Sequence, residues 1–287
     1  MIREGTRTPM PSPQSSIARG HAHLTVEMVA GQSAVTSSWS SNPIKVLVPK
    51  ARGMSVWAYT SSFGGGMVGG DQTHLDINIG AQARCYVGTQ ASTKIYRNPG
   101  HAACSHFTRA RLGPQSLLVF APDPVQAFAD STYAQRQEFH LEAGASLVLL
   151  DWFNSGRAAR GERWAFSRFS SRNDVFLAGE RIYLDSILLD PSSGPLDSPM
   201  RAGRFNCFAT LLMVGESCDA AAEQLLKNIL ARPVQKKSPL VVSASSTRGG
   251  AVLRVAGEQV EEVGREIHGH LASVPKLLGD DPWARKW

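Results

Sequence analysis

Long apolar runs are missing from this sequence of 287 residues. A transmembrane helix needs about 20 consecutive apolar residues, whereas the longest apolar runs here, such as residues 147–150 and 211–214, have the length of a strand. Apolar residues still make up 43% of the chain, which is enough to form a globular core. We therefore expect a globular protein that has no membrane partner.

Cysteine is scarce, and its spacing excludes the common cysteine-based sites. Cys85, Cys104, Cys207 and Cys218 are far apart and form no CxxC pair. This pattern is typical of a reduced, intracellular protein rather than of a disulfide framework. The sequence therefore predicts a cytoplasmic location.

The first twenty residues contain neither an apolar stretch nor more than one acidic residue. Pro, Ser and Arg dominate this segment, and Glu4 is its single acid. Such a segment does not fit a secretory signal, which needs an apolar centre. We expect a disordered arm over residues 1–20, and the composition leaves an organelle transit peptide open as the alternative.

Positive charge is in slight excess, with 30 Lys and Arg against 24 Asp and Glu, a net charge of +6. A basic balance can indicate nucleic acid, a membrane surface or an acidic protein as partner. The basic residues are scattered here apart from a tight cluster at Lys236 and Lys237, and no nucleic-acid-binding motif accompanies them. We expect a solvated surface or an acidic protein partner, and no nucleic acid.

Apolar and polar residues alternate from His21 onward, and this period of two predicts strands. In residues 21–28, the side chains of Ala22, Leu24, Val26 and Met28 would share one face. Similar segments separated by turn residues lie at 44–48, 56–60, 73–79, 83–89, 116–120, 146–151, 163–169 and 181–189. The pattern predicts a mainly β body of stacked antiparallel or mixed sheets over residues 21–204, and we find no internal sequence repeat in it.

The pattern changes after Arg204 and predicts a C-terminal α+β portion over residues 205–287. Strands are expected at 205–214, 240–244 and 251–255, together with two helices. The first helix would be capped by Asp219 and end before Pro233, and the second would start near Glu258. The apolar face of the first helix would hold Ala222, Leu225, Leu226, Ile229 and Leu230. No Gly/Ser linker separates the portions, so we expect the C-terminal portion to pack on the body.

The densest local feature is the glycine turn, residues 63–71. It contains Gly64, Gly65, Gly66, Gly69 and Gly70. A phosphate-binding loop needs Lys-Ser/Thr after the glycines, and a dinucleotide-binding loop needs a following helix; the sequence offers neither. The segment predicts a tight β-turn with positive φ angles or close backbone contacts.

Lys94 and Tyr96 lie just after a predicted strand and offer an acid–base pair. With Asp71 they would form the catalytic group of a β-rich enzyme, which we keep as one alternative. No nucleophile or cofactor-binding motif accompanies them, and residues 151–162 do not contain the GxSxG order.

The histidines lie in close groups without the spacing of a tight metal site. Cys104 and His106, near His101, would share one face of a strand, as would His21 and His23. His268 and His270 would point apart on a helix. No HExxH or CxxC spacing occurs, so we expect no permanently bound metal or cofactor.

Three aspartates fall in segments where a carboxylate is unfavourable. Asp71 ends the glycine turn, Asp151 ends the apolar run 147–150, and Asp185 lies inside the apolar strand 181–189. A buried carboxylate costs several kcal/mol unless it is paired, hydrated or bound to a cation. The common explanation is a salt bridge to an arginine. The alternative is a set of weak oxygen ligands along a hydrated channel for a divalent cation in transit.

Six segments, taken in order along the chain, together resemble the UreD/UreH family of urease accessory proteins. They are residues 41–45, the glycine turn, and residues 90–96, 122–125, 151–157 and 161–162. Outside the glycine turn, the residues that carry the resemblance are Gln90, Thr93, Lys94, Tyr96, Pro122, Asp123, Pro124, Gly156, Arg157, Gly161 and Glu162. The forms of 91–96 and 151–157 look more like plant and fungal members than bacterial ones.

The resemblance implies a urease maturation protein with no catalysis of its own. Such a protein acts on the urease apoprotein together with a UreF-like helical protein and a UreG-like GTPase, and nickel passes through it in transit. By position, the resemblance places Asp71, Thr93, Asp151 and Asp185 near that nickel route. A purely structural adaptor that never contacts nickel is a further alternative.

Overall fold

Apolar side chains at every second position build two sheets that face each other. The structure is a computed structural model that describes residues 19–50, 53–100 and 102–285. The arm expected over residues 1–20 lies outside the described residues up to residue 18, whereas Arg19 and Gly20 already belong to the first strand.

Within the described residues, the first sheet has seven strands. They are β1 (Arg19–Val29), β2 (Gln32–Ser40), β5 (Gln72–Ile79), β8 (Cys104–Leu112), β11 (Thr132–Leu141), β13 (Arg168–Leu177) and β14 (Glu180–Leu189). Their order across the sheet is β14-β13-β11-β8-β5-β1-β2.

The second sheet contains the remaining strands. They are β3 (Ile44–Leu47), β4 (Val56–Ser62), β6 (Arg84–Thr89), β7 (Thr93–Ile95), β9 (Leu117–Phe120), β10 (Val125–Ala127), β12 (Ser146–Asn154), β15 (Cys207–Val214), β16 (Leu240–Thr247) and β17 (Gly250–Gly257). The main order is β16-β17-β15-β12-β9-β6-β4-β3, and the short strand β10 lies between β12 and β7.

Between β4 and β13 the chain passes back and forth between the two sheets. Strands β5, β8, β11 and β13 therefore pair in parallel in the first sheet, and β4, β6, β9 and β12 do so in the second. A strand of the opposite sheet takes the place of the helix that usually connects parallel strands. Antiparallel pairs occur at the flanks, as in β1–β2 and β12–β15. The predicted mainly β fold with mixed sheets is confirmed.

The crossings form a structural repeat that the sequence did not reveal. Turns of four residues, 80–83, 113–116 and 142–145, lead from the first sheet to the second at one end. The third residue of each turn has a positive φ: 63° at Gln82, 56° at Gln115 and 75° at Gly144. Neighbouring turns are hydrogen-bonded, as from Gln82 N to Pro114 O at 2.9 Å. The return connections, 90–103, 121–131 and 155–167, are longer and lie at the opposite end.

The alternation predicted from His21 onward places its apolar side chains between the sheets. Ala22, Leu24 and Val26 are buried there, while Met28 at the end of β1 is 36% exposed. Residues of both sheets, among them Ile77 and Leu149, complete this layer. Burial of these side chains holds the two sheets together.

Two helices cover the outer face of the second sheet, as expected. They are α1 (Asp219–Leu230) and α2 (Val260–His270), followed by the short α3 (Val274–Leu278). Strand β15 is hydrogen-bonded to β12, so the C-terminal strands extend the sheet of the body. The division into portions 21–204 and 205–287 stays a prediction. Among the described residues, no helix has both the length and the apolar character needed to cross a membrane.

Several local expectations were wrong. The strand predicted over 163–169 starts only at Arg168, because the positive φ of 55° at Trp164 interrupts an extended backbone. Leu230 is 79% exposed instead of lying on the apolar face of α1, and Asp219 is the first residue of that helix instead of its cap. Strands β2, β8 and β11 were not predicted, since polar residues occupy many of their inward positions.

The glycine turn is hydrogen-bonded to β7. Met67 N donates to Lys94 O at 2.8 Å, and Tyr96 N donates to Met67 O at 2.9 Å. Gly64, Gly65, Gly69 and Gly70 have positive φ. Gly66 is extended, with φ of 175°, but a Cβ there would lie 2.6 Å from the Tyr96 ring. The segment thus needs glycine for both of the expected reasons.

Gly70→Ala should destabilise the protein more than Gly69→Ala. Both residues have positive φ, +82° and +57°, but only at Gly70 would the new methyl group approach a neighbour, Ala102 O, at 2.8 Å. We expect a loss of about 1 kcal/mol for Gly69→Ala and about 1–3 kcal/mol or more for Gly70→Ala. Urea unfolding followed by tryptophan fluorescence measures both. Equal losses would contradict the close contact with Ala102.

Candidate functional site

A polar cavity lies between the two sheets, at the end where the long return connections meet the glycine turn. Its volume is about 170 Å³, with room for roughly ten water molecules. Exposed Gln90 and Ala91 lie at its rim. Its lining combines apolar side chains, among them Ile44, Met67, Phe120 and Val125, with polar residues that include Thr73, Thr89, Gln90, Thr93, His106, Asp123, Tyr133, Gln135, Gln137, Asp151 and Trp152.

One wall of the cavity is polar because the inward positions of the first sheet change from apolar to polar residues along the strands. In β11, the inward residues Phe139 and Leu141 are apolar, but Gln135 and Gln137 are amides although they are 9% and 2% exposed. Strand β13 adds buried Ser171 and Asn173 on the same face. The apolar layer between the sheets therefore ends in a polar wall.

Asp151 is the centre of the hydrogen bonds in this wall. It projects from β12 of the second sheet and is 8% exposed. Its Oδ1 accepts from Gln135 Nε2 at 2.9 Å, and its Oδ2 accepts from Ser171 Oγ and Asn173 Nδ2, both at 2.7 Å. Gln137 Nε2 donates in turn to Asn173 Oδ1 at 2.7 Å. One carboxylate thus joins the two sheets through neutral donors.

No salt bridge to Asp151 occurs within the described part of the chain, so the expected arginine partner is not found there. Burial raises the pKa of the Asp151 carboxyl above its ordinary 3.8, the three hydrogen bonds oppose that rise, and the nearby charge of Asp185 adds to it. An ionised Asp151 is therefore a buried negative charge without a counter-charge. Its hydrogen bonds compensate only part of the cost.

The other two predicted aspartates have different surroundings. Asp185 forms a salt bridge with Arg254 at 3.4 Å and lies opposite Asn173 in the register of β13 and β14. Asp71 is buried in the glycine turn, where its Oδ2 accepts from Val68 N at 2.9 Å, and it is not among the cavity-lining residues. The structure thus brings Asp185 near Asp151 and leaves Asp71 in a turn. A nickel-binding role for any of the three stays a prediction.

Some of the residues that carry the family resemblance line the cavity. Gly65, Gln90, Thr93, Pro122 and Asp123 do so, and Asp151, the first residue of the segment 151–157, lines it as well. Thr89 Oγ1 donates to Asp123 Oδ2 at 3.0 Å and accepts from Asp123 N at 2.7 Å. Trp152 Nε1 donates to Pro122 O at 2.7 Å, and the adjacent Pro124 is buried. These bonds fix the 122–125 segment against the rim of the second sheet.

Gly156, Arg157, Gly161 and Glu162 instead shape the connection after β12. Arg157 forms a two-pronged salt bridge with Glu162, which also accepts from Ala129 N at 3.2 Å. The Arg157 guanidinium lowers the pKa of Glu162. A Cβ at Gly156, where φ is +96°, would lie 2.7 Å from Ala127 O. These residues hold the connection in place and do not line the cavity.

Lys94, Tyr96 and Asp71, the catalytic residues of the alternative enzyme, do not come together in the structure. The Tyr96 ring packs edge-on against Phe128, with centroids 5.4 Å apart. The Asp71 carboxylate is bound to Val68 N. In the described residues, no hydrogen bond joins the side chains of Lys94, Tyr96 and Asp71.

His106 lines the cavity, although the sequence grouped it with Cys104 and His101. Its Nδ1 lies 2.7 Å from Thr73 Oγ1 and its Nε2 lies 2.9 Å from Thr108 Oγ1, so both ring nitrogens have hydroxyl partners. Burial, together with repulsion from His74, lowers its pKa to about 4. Cys104 lies on the same face, as predicted, but its sulfur accepts from Asn98 Nδ2 at 3.2 Å. His101 lies outside the described residues.

Sequence reasoning missed the neutral partners of Asp151. Gln135, Ser171 and Asn173 occupy alternate, inward positions of β11 and β13. A signal existed: amides and hydroxyls recur there with a period of two. The signal identifies a polar wall only once β11 and β13 are known as strands, and the sequence predicts neither of them over these residues.

Comparison with known proteins gives a consistent result. The family model described as "UreD urease accessory protein" matches residues 18–287. The chain is 45% identical over 269 residues to the urease accessory protein UreD of Sorangium cellulosum, covering 93% of this chain and 84% of the relative. It is 37% identical to that of Anaeromyxobacter sp., covering 96% and 92%, and 31% identical to the urease accessory protein D of Arabidopsis thaliana, covering 91% and 98%. The expected greater similarity to plant and fungal members is therefore wrong, since these two bacterial relatives share more identity than the plant one.

Asp151→Asn should change the pH dependence of stability in a defined direction. The raised folded pKa means that wild-type Asp151 opposes folding increasingly as pH rises through 3.8 toward its folded pKa. The free energy of unfolding of Asp151→Asn relative to wild type should therefore increase over this window, by at most ~1.4 kcal/mol per pH unit. Urea unfolding between about pH 3.5 and 7 measures the difference.

Asp174→Asn is the matched control, because it should show the opposite sign. Asp174 lies next to Asn173 on the other face of β13, and its pKa is lowered chiefly by the Arg172 hydrogen bond. Its carboxylate stabilises the fold above the ordinary pKa, and this contribution is lost as pH falls through the folded pKa. A relative stability of Asp151→Asn that stays constant with pH would contradict the raised pKa.

Proposed function

The chain belongs to the UreD family of urease accessory proteins, and we propose that its part in urease maturation is to pass nickel ions through the polar cavity to the urease apoprotein. Members of the family are accessory proteins, so the chain is a maturation protein and not a catalytic enzyme. The enzyme that would use Lys94, Tyr96 and Asp71 is thereby set aside. Nickel is the cargo in this proposal and not a resident cofactor.

The observation that supports nickel passage is the uncompensated carboxylate of Asp151. A divalent cation entering the cavity would supply the missing counter-charge, and its approach would favour the ionised carboxylate despite the raised pKa. The groups that contact the carboxylate are neutral: the Ser171 hydroxyl, whose oxygen is a weak ligand, and the amide nitrogens of Gln135 and Asn173, which are not cation ligands. A site that attracts the ion but does not supply a complete set of ligands suits an ion that must leave again.

The lining also offers few strong ligands for nickel. Imidazole and thiolate bind Ni²⁺ more tightly than a lone carboxylate does, and a cage of them would retain the ion. His106 is the histidine of the described cavity wall, and both of its ring nitrogens are held by threonine hydroxyls. The cavity is therefore better suited to transient contact with the ion than to its storage.

A second candidate function, an adaptor that contacts urease but never nickel, is favoured by the exposed apolar side chains of the glycine turn. Phe63 is 62% exposed and Val68 is 52% exposed. Exposed apolar groups at a conformationally fixed turn suit a protein-binding surface. In either case the proposed partners are the urease apoprotein, a UreF-like protein and a UreG-like GTPase.

The isolated chain should self-associate and be kept monodisperse by the UreF-like protein. Replacing Phe63 and Val68 together by Ser should reduce both self-association and partner binding, because it removes the exposed apolar groups of the glycine turn. Leu230→Ser is the matched control, since Leu230 is 79% exposed but lies on α1. Size-exclusion chromatography with light scattering measures both effects. A monodisperse wild-type chain that ignores this partner would count against the proposal.

Asp151→Asn should uncouple nickel loading from complex assembly. The substitution keeps size and polarity but removes the charge that attracts the cation, so nickel per urease site and urea hydrolysis should fall severalfold. The measurement is co-expression with urease, combining pull-down of the complex with nickel content. Asp174→Asn, which removes a carboxylate from the outer face of β13, should leave nickel loading unchanged.

Two outcomes would overturn nickel passage. Normal assembly with normal nickel in Asp151→Asn would leave the adaptor function in place. Loss of Asp151→Asn from the complex would show instead that the carboxylate acts as a structural link between the sheets.

A further inference from the structure

A second group of metal-binding side chains lies on the outer face of the first sheet, away from the cavity. Strands β1 and β5 are parallel neighbours, and their register sets His21 beside His74 and His23 beside Asp76. His21 Nε2 lies 2.7 Å from Asp76 Oδ2, and His74 Nε2 lies 3.2 Å from Asp76 Oδ1. One ligand atom from each of His21, His74 and Asp76 lies within 4.8 Å of the other two.

These separations suit three ligands of one metal ion. With metal–ligand distances of about 2.0–2.1 Å, neighbouring ligand atoms are about 2.8–3.4 Å apart in octahedral or tetrahedral sites. The two His–Asp separations, 2.7 and 3.2 Å, are close to that range, and all three ligand atoms lie within 4.8 Å of one another, so side-chain rotations that draw them together would complete the geometry. The His74 Nε2 atom is buried and has no hydrogen-bond partner of good geometry, although it is directed at this cluster.

The surroundings fix the two rings but leave a way in for an ion. The His21 ring packs edge-on against Trp39, and the His74 ring against Phe107, each pair with centroids 4.8 Å apart. The two side chains are still 44% and 35% exposed. Fixed rings lower the entropy that binding would cost, and the open side allows water ligands and exchange.

We propose that His21, His74 and Asp76 bind a divalent first-row transition-metal ion, such as Ni²⁺ or Zn²⁺, with water completing its coordination. Two imidazoles and one carboxylate favour these ions over Mg²⁺ and Ca²⁺, which prefer oxygen ligands. The site is separate from the cavity, because Thr73, the neighbour of His74, projects to the inner face of the sheet. The inference does not rest on nickel passage through the body.

The test is a metal titration of the full-length chain, purified with a streptavidin-binding tag instead of polyhistidine and stripped with a chelator. Isothermal titration with Ni²⁺ and with Zn²⁺ gives stoichiometry and affinity, and Co²⁺ absorption reports the ligand geometry. His74→Ala and Asp76→Asn should each lose one equivalent, or bind it at least about 10–100-fold more weakly, since even second-shell changes have effects of that size.

His140→Ala is the matched control. His140 lies on the outer face of the same sheet, is 42% exposed and is 3.7 Å from a carboxylate oxygen of Glu138. This variant should bind as the wild type does. Metal should also raise the unfolding temperature of wild type and of His140→Ala, but less that of His74→Ala.

The proposal would be overturned if His74→Ala and Asp76→Asn bound the same number of ions as the wild type with the same affinity. The three residues would then be only a hydrogen-bonded His–Asp–His cluster. His21→Ala, at the exposed start of β1, serves where another variant does not fold. Asp151→Asn should still bind one equivalent of metal at His21, His74 and Asp76. Failure of this site and failure of nickel passage through the cavity are therefore measured independently.

Discussion

Packing of the two sheets against one apolar layer is the interaction on which the rest of the structure depends. Because the chain crosses between the sheets with almost every long strand, the parallel partner of each strand arrives only after a strand of the other sheet. Neither sheet can form from consecutive strands alone, so pairing within a sheet and packing between sheets have to develop together. The helices α1 and α2 add a second apolar layer on the far side of the second sheet.

The polar cavity is the place where this layer is interrupted. Gln135, Gln137, Ser171 and Asn173 replace apolar side chains there. Three of them donate to the Asp151 carboxylate of the opposite sheet, and Gln137 donates to Asn173. A layer of leucine or valine at these positions would stabilise the fold more, because buried amides and an unpaired carboxylate gain little net free energy. Such a local exception to core packing is expected at functional positions.

The sequence predicted features that depend on local periodicity and missed those that depend on pairing across the chain. The alternation at Ala22, Leu24 and Val26 and the two C-terminal helices follow from neighbours in sequence, and both are observed. Asp151 stands out because a carboxylate follows an apolar run, but its partners come from β11 and β13. The approach of His21 to His74 depends on strand register, which no local pattern specifies. Arg157 and Glu162 carry the family resemblance in the sequence. Their salt bridge, which holds the connection after β12 in place, is evident only from the structure.

The short turns 80–83, 113–116 and 142–145 impose a rule on how this chain can change in length. Each turn has the same four-residue form with a left-handed third residue, and each is hydrogen-bonded to a neighbouring turn. A single inserted residue would shift the following strand by one position and reverse which of its side chains face the core. The return connections at the cavity end differ in length from one another, so they are not tied to one common form. Among these crossings, evolutionary gain or loss of residues should therefore be concentrated in the return connections, at the end of the molecule that holds the cavity.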